Sequence, residues 1–547
     1  MEPDTSGRAP AASASWLGAF AHPAFAIVWL ASTTALIGIA MNDAGAGWLM
    51  TTLDTEPLDV ALLHAAANLP MFLFTLPAGA LADIVDPRRL IIAVSCAVAV
   101  FIAIFAGIVW LELATPWLLL LTTFLLSAAW SLNSPAWLSI LPNLVPRSDL
   151  AGAIAANGVA YNLSRTVGPA LGGYALVHVG ASAPFWAFAA TNLAVIAALL
   201  WWRSPKEETA SLPAERLLGA VRTGIRHAAN NKLLRATLIR TIAIYPFTAA
   251  YWGLLPIIAR HTGQGAERYG LLLSMISAGA IAGSILQRFA RRRLELDWAV
   301  AAGTMATAVA LFIFAGTRDF PVVLVACFIA GAAWVVVLTS LYVSAQNVLP
   351  DWVRGRGLGV FLTVIFGSMT VGSAAWGEIA AKAGLSEALG LAAIGILAAM
   401  PLTWSWSLSR TEAVDLSPSL HWREPKAVED IPDDQGPVLV KIAYRIDPKD
   451  RTRFLRALDE LGEERKRDGA FAWGIFEDMG EFGRFEEGYL IESWVELMRL
   501  RERVTKEDLA LEEEIRKMLL EPPEIEFLVA AERHPHRRRF ARDAGRA

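Results

Sequence analysis

Charge is what this sequence has least of. Asp, Glu, Lys and Arg make up 18% of its 547 residues, against about a quarter in soluble globular chains. The shortfall is uneven. From Ala24 to about Leu408 the chain is a series of apolar stretches, many of about 20 residues, the length that crosses a bilayer. After Arg410 it turns polar. This excludes a single soluble domain and predicts a polytopic membrane protein with a soluble tail. Cysteine is scarce too. Cys96 and Cys327 both lie in apolar runs, which excludes a disulfide or thiolate-metal framework and suits small core residues. The tail shows no metal-ligand spacing, no nucleophile beside a base and no phosphate-cradling loop. No cofactor, no metal and no nucleic-acid partner is expected. The first 23 residues lack the basic start of a secretory signal, so no removable signal peptide is expected.

What is present is a set of twelve predicted spans, near 24–50, 58–82, 89–111, 116–142, 150–178, 183–202, 234–259, 267–289, 297–316, 320–348, 356–382 and 386–408. Basic residues occupy alternate breaks: Arg88 and Arg89, then Arg147, then the run Arg203 to Arg235, then Arg288 with Arg291 to Arg293, then Arg354 with Arg356. The intervening breaks hold only Arg260, Arg268, Arg318 and Lys382. Cytoplasmic loops carry the Lys/Arg excess, so both termini and the tail are expected in the cytoplasm, and the chain in the cell (inner) membrane. In the long break, LPAERLLGAVRTGIRH repeats Leu217, Val221 and Ile225 at every fourth residue among arginines. It reads as an amphipathic helix on the membrane face or as a solvated linker helix.

The chain also repeats itself. GALADIVDPRR begins at Gly79 and GAIAGSILQRFARRR at Gly279; LPNLV begins at Leu141 and LPDWV at Leu349; VGPALGG begins at Val167 and VGSAAWG at Val371. The order is the same and the offsets nearly so, which predicts two six-helix halves in parallel. The expected divisions are 1–203 and 234–408 for the halves, 204–233 for the linker, 409–437 for an extended proline-bearing segment, 438–533 for the soluble domain and 534–547 for a basic tail.

This arrangement resembles the major facilitator superfamily of transporters, whose substrate site lies between the halves near mid-membrane. GALADIVDPRR is similar to its loop motif after the second helix. Gly79, Asp83, Arg88 and Arg89 match, whereas Ile84 and Asp86 depart from it. The resemblance implies that Asp83 faces the start of the eleventh helix, from Arg354 to Gly359, where a helix N-terminus favours a carboxylate. The cluster is then a gating latch, or else an anchor for a basic loop. Arg88 and Arg89 are free in this reading to meet acidic groups or lipid phosphates. NLSRTVGPALGG resembles the antiporters' fifth-helix motif through Gly168, Pro169, Gly172 and Gly173, with Ser164 and Ala155 at upstream glycine positions. That implies export by antiport. The fourth span carries no basic residue, so the arginine of many proton-coupled drug antiporters is missing. The runs GWLMTTLDTEPLDVALLHAAANLPMFLFTLPAGALADIVDPRR and NSPAWLSILPNLVPRSDLAGAIAANGVAYNLSRTVGPALGG resemble the enterobactin-exporter-like branch of transmembrane secretion effectors. The branch implies export of siderophores, drugs or other small hydrophobic metabolites, with a proton as coupling ion.

Ionisable and polar groups at membrane depth are the candidate pathway residues: Asp43, Arg165, Asn157, Asn162 and His64, with Asn68, Asn133, Gln346 and Asn347 as further hydrogen-bonders. Asp43 and Arg165 read either as functional groups or as a buried structural pair. Trp130, Tyr161, Tyr245, Tyr251 and Trp252 are candidates for an aromatic lining. In the tail, VLVKIAYRI, AFAWGIFED, GYLIESWVE and EIEFLVA read as strands. PKDRTRFLRALDELGEERKRDGA and EDLALEEEIRKMLL read as helices. The order βαββαβ predicts an α+β ferredoxin-like domain, similar to dimeric α+β barrels, which implies possible self-association. Arg467 to Ala470 match the branch's RDGA turn and Trp494 its strand, while Met498 stands where a histidine is usual. Two functional classes follow. One is a transporter of a small molecule by alternating access; import is its lesser variant. The other is a membrane-anchored sensor or enzyme acting through the tail.

Overall fold

The computed structural model describes residues 18–54, 56–146, 148–202, 217–263, 265–290, 295–350, 352–408, 419, 432 and 435–530. The side chains of Gly79 and Asp83 lie outside the described residues, as do the segments 409–418 and 531–547. The chain forms two compact units. The first comprises residues 1–217, 236–344 and 359–410, and the second comprises 218–235, 345–358 and 411–547.

Six long helices come first: α1 (Pro23–Leu53), α2 (Pro57–Ile84), α3 (Pro87–Trp110), α4 (Pro116–Ile140), α5 (Leu150–His178) and α6 (Ala183–Trp201). After a short helix, α7 (Leu217–Asn230), come α8 (Lys232–His261), α9 (Ala266–Ala290), α10 (Leu296–Gly316), α11 (Phe320–Asn347), α12 (Arg354–Ala383) and α13 (Leu385–Leu402). Prolines open four of them, where the missing N–H costs nothing. Thr115 and Asp86 cap α4 and α3 through their side chains. Eleven of the described helices are long and apolar enough to cross a membrane. The sequence pattern predicts twelve. The remaining one, α5, has 29 residues, but it carries Asn157, Asn162, Arg165 and Thr166. It packs against both α1 and α9, so much of its surface meets protein.

The repeat has a structural counterpart. In α5, a Cβ on Gly168 would lie 2.5 Å from Ala40 Cβ, and one on Gly172 would lie 2.9 Å from Met41 O; both partners are on α1. In α12, a Cβ on Gly372 would collide with Pro246 O on α8. Equivalent glycines thus bring the fifth helix of each repeat onto the first. In the second copy of the loop motif, Gly283 stands where Asp83 stands in the first. A Cβ there would lie 2.7 Å from Ala332 O of α11, so the backbone leaves no room for a carboxylate.

The second unit contains α7, the connection before α12 and a small domain. The domain runs β1 (Val438–Arg445), α14 (Arg451–Asp468), β2 (Ala472–Glu477), β3 (Arg484–Ile491), α15 (Trp494–Arg503), α16 (Lys506–Arg516) and β4 (Glu524–Val529). Its antiparallel sheet has the order β2-β3-β1-β4, with Val438 opposite Ile491 on one side and Val529 on the other. That is the ferredoxin-like arrangement. Val438, Val440, Ile442 and Tyr444 alternate inward and meet Phe454, Leu458, Leu461, Leu497 and Ile515. One strand needs correction. GYLIESWVE does not continue as a strand past Ile491, because the Ser493 hydroxyl accepts from the Glu496 amide and starts α15 at Trp494. A Thr505–Asp508 capping box then starts α16. The RDGA turn is an ion-pair knot. Arg467 bonds Asp468 at 3.0 Å and Asp508 at 2.7 Å, and Gly469 takes φ 153°. The Arg503 guanidinium lies over Trp352, 4.6 Å from its centroid, and Lys232 reaches Glu463 at 2.9 Å.

Candidate functional site

Helix geometry places the polar residues of the first unit in one layer. At about 1.5 Å rise per residue, Asp43 lies about 15 Å from the far end of α1, and Arg165 about 20 Å from that of α5. His64 lies about 10 Å along α2, and Trp252 and Ser373 about 15 Å from the far ends of α8 and α12. The layer is built from both repeats. His64 Nδ1 stands 2.7 Å from Ser373 Oγ, joining α2 to α12. The His64 ring stacks on Trp252 of α8, with centroids 6.1 Å apart and planes 4° apart. Asn68 donates to His64 O at 2.7 Å. Trp252 meets Trp334 of α11 edge-on at 5.7 Å, and Trp334 meets Tyr245 at 5.3 Å.

Arg165 extends into this aromatic cluster. Its Nη1 donates to Tyr161 Oη at 3.0 Å, and its guanidinium lies 5.6 Å from the Tyr161 centroid and 5.9 Å from that of Trp252. Ser277 of α9 donates to Arg165 O at 2.7 Å. Asp43 is exposed, although it sits within an apolar helix, and its Oδ1 accepts from Asn42 at 3.4 Å. Asp43 and Arg165 stand within electrostatic range of one another. Among the described residues they form no ion pair; Arg165 bonds Tyr161 instead. The buried structural pair is therefore not what the structure forms, and both groups keep an open side.

Of the other candidates, Asn162 is exposed and bonds its own helix at Gly158 O. Asn157 is half-buried on α5, farther along towards its start. Arg354 belongs to the second unit, and the Asp83 carboxylate lies outside the described residues. The charged loop does something the sequence did not disclose. Arg88 Nε donates to Leu199 O at 2.8 Å and Nη2 to Leu200 O at 3.4 Å, so Arg88 caps the C-terminus of α6. Asp86 accepts from the Arg89 amide at 3.1 Å and caps α3, while the Arg89 side chain is exposed. Ser373 also escaped the sequence reading. It sits in VGSAAWG at the place Pro169 takes in VGPALGG, so the repeat held a signal for it. Trp334 had no such signal.

One end of the bundle is shut. A Cβ on Gly173 would lie 2.8 Å from Ala266 O, and one on Gly270 would lie 2.5 Å from Pro169 O, so α5 and α9 touch backbone to backbone. His178 meets Glu267 at 3.0 Å and Arg260 donates to Thr51 O. A Cβ on Gly377 of α12 would meet Ala61 and Leu58 of α2. At the other end of α5 a Cβ on Gly158 would meet nothing within 4 Å, and Ile154 and Val159 are exposed.

Two repeats of apolar helices, closed at one end around a shared polar and aromatic layer, define a transporter fold of the major facilitator type. Solved structures agree. A bacterial homolog of the human lysosomal transporter Spinster, in an inward-facing and unoccupied conformation, superposes with a TM-score of 0.56 at 14% identity, covering 70% of this chain and 96% of that one. A point mutant of the nucleoside transporter NupG gives 0.54 at 12% identity, covering 70% and 99%. By sequence, residues 14–535 match the family model of transmembrane secretion effectors, and the chain belongs to that family. It is a multi-pass membrane transporter, not an enzyme. The multidrug efflux pump Tap of Mycolicibacterium fortuitum is 23% identical over 376 residues, 66% of this chain and 90% of the pump. Its namesake in Mycobacterium tuberculosis (strain ATCC 25618 / H37Rv) is 22% identical over 391 residues, 70% and 91%.

Proposed function

We propose that the protein exports small hydrophobic molecules from the cytoplasm by antiport against protons, through alternating access. The observation that carries this reading is the shared layer. Trp252, Trp334 and Tyr161 offer flat apolar faces, and Arg165 and Asp43 offer one charge of each sign on open sides. Such a surface favours amphipathic drugs or siderophore-sized metabolites. Asp43 is the proton-responsive carboxylate of this reading, since an ionisable group at membrane depth is a pathway candidate. Arg165 is its opposite pole. The basic loops favour an orientation with the shut end outside and the opposite end in the cytoplasm, with both termini there and the chain in the cell (inner) membrane. This conformation is then the one that loads. The named relatives, multidrug efflux pumps, support the outward direction. Asp83 remains our candidate latch towards the start of α12. The tail acts as an accessory module and not as the seat of activity.

Everted vesicles loaded by an imposed proton gradient test this with a panel of lipophilic dyes and siderophores. Transport should follow the gradient, and Asp43→Asn should lower gradient-driven flux at least tenfold without preventing insertion. Trp252→Ala should raise the half-saturating concentration of aromatic substrates several-fold. Gradient-driven flux unchanged in Asp43→Asn would remove the carboxylate from the coupling step. Flux indifferent to the gradient would remove antiport.

A further inference from the structure

The second unit holds a cleft of its own, about 750 Å³ in volume, between α7 and the small domain. Arg222 and Arg226 of α7 and Lys466 of α14 supply three positive charges to it, against one carboxylate, Glu492. That carboxylate does not satisfy them. Arg222 Nη1 is 3.6 Å and Arg226 Nη1 3.8 Å from the same Glu492 oxygen, both beyond a good hydrogen bond. The Arg226 side chain is 17% exposed, and its Nε is buried without a hydrogen-bond partner. Burial also pulls the Arg226 guanidinium below its ordinary range, a cost that an anion beside it would relieve. Asn230, which donates to Arg226 O, also lines the cleft, and the remaining wall of Pro437, Ala470 and Phe471 is apolar. Phe471 is 50% exposed there, beside Pro437.

We propose that this cleft binds an amphiphilic anion, a phosphate or carboxylate on an aromatic or acyl body. The anion meets Arg222, Arg226 and Lys466, and the body lies on Phe471 and Pro437. A bare inorganic anion would use only the cationic wall, and a neutral apolar molecule only the floor. Two sources share this chemistry: a soluble metabolite and the headgroup of an anionic lipid. Neither depends on what the membrane bundle carries.

The test uses full-length protein in phosphatidylcholine nanodiscs, titrated calorimetrically with phenyl phosphate, inorganic phosphate and benzyl alcohol. Phenyl phosphate should bind at least tenfold more tightly than either of the others. Arg226→Gln should weaken it at least tenfold. Phe471→Glu, at a half-exposed position, should abolish it with the melting temperature followed alongside. If the source is lipid, phosphatidylglycerol should co-purify through detergent, and both variants should lose it. The proposal fails if phenyl phosphate binds equally to wild type and both variants. It also fails if neither phenyl phosphate nor retained phosphatidylglycerol depends on Arg226 and Phe471.

Discussion

Gly270→Ala should loosen the shut end of the bundle. The added Cβ would lie 2.5 Å from Pro169 O, where ordinary contact begins at 3.4 Å. The helices must therefore part by about 0.9 Å, or the carbonyl must turn away from its helix. Neither group can yield cheaply, since both are backbone. Overpacking of this kind costs about 1–3 kcal/mol. The cost falls on the conformation described here and is absent once α5 and α9 separate, so it shifts the balance between the two states about 5- to 150-fold. Spin labels on cysteines replacing exposed Ala181 and Lys382, with Cys96 and Cys327 replaced, report that balance by pulsed electron double resonance. Wild type should give one short outer distance. The variant should add a longer population in unliganded protein, with wild-type elution on size exclusion. A variant distribution superimposable on wild type would refute the close-contact reasoning. The His178–Glu267 pair beside the seam is half exposed on both sides, and such pairs contribute at most about 1 kcal/mol. His178→Gln should therefore move the distribution little.

Two further outcomes follow from buried charge. Arg240 is 3% exposed, pairs with Asp297 at 2.8 Å and donates from Nε to Trp406 O at 2.9 Å. Arg240→Leu leaves the carboxylate only the Leu408 amide and should cost about 3 kcal/mol of stability, while Arg240→Leu with Asp297→Leu should recover most of it, read as melting temperature. A single variant within a degree of wild type would sink this. In the small domain, burial pushes the Glu464 carboxyl up to about 9; Asp508 and Asp468 add to this and Arg467 opposes it. A carboxyl raised from about 4.5 to about 9 on folding gives stability that is full below the lower value and lost as pH rises through the upper. Wild type should therefore lose melting temperature between pH 5.5 and 8.5 by calorimetry of the full chain. Glu464→Gln should be flatter and higher at pH 8.5; a parallel slope in both would contradict the assignment. Asp508 and Glu496, held below their usual range against the pull of burial by Arg467 and Arg503 respectively, act the other way and matter only in acid.

Sequence patterns carried the helices, the repeat and the βαββαβ order, because each rests on local periodicity. They carried less of the site. The sequence left Asp43 and Arg165 open between functional groups and a buried pair, because opposite charges in neighbouring helices need not meet. The structure gives Arg165 to Tyr161, four residues away on its own helix. The His64–Ser373 contact spans 309 residues, and nothing local specifies it. Arg88 shows the same limit. A basic residue in a loop motif suggests acidic partners, but the open carbonyls at the end of α6 are acceptors that no composition reveals. The misread strand at Trp494 failed for a different reason. GYLIESWVE alternates well enough for a strand, and one hydroxyl at Ser493 decides the matter.

The seam at Gly173 and Gly270 lies close to one tip of two very long rods. From Gly173 back to Leu150 is about 35 Å of helix. A pivot so far off-centre is a lever with a short arm and a long one. Turning α5 by about 10° about that fulcrum sweeps its distant tip through about 6 Å while the carbonyls at the seam scarcely travel. A close backbone crossing is thus a place where little motion is needed, and a modest local rearrangement there is geared up into a large movement at the distant tip.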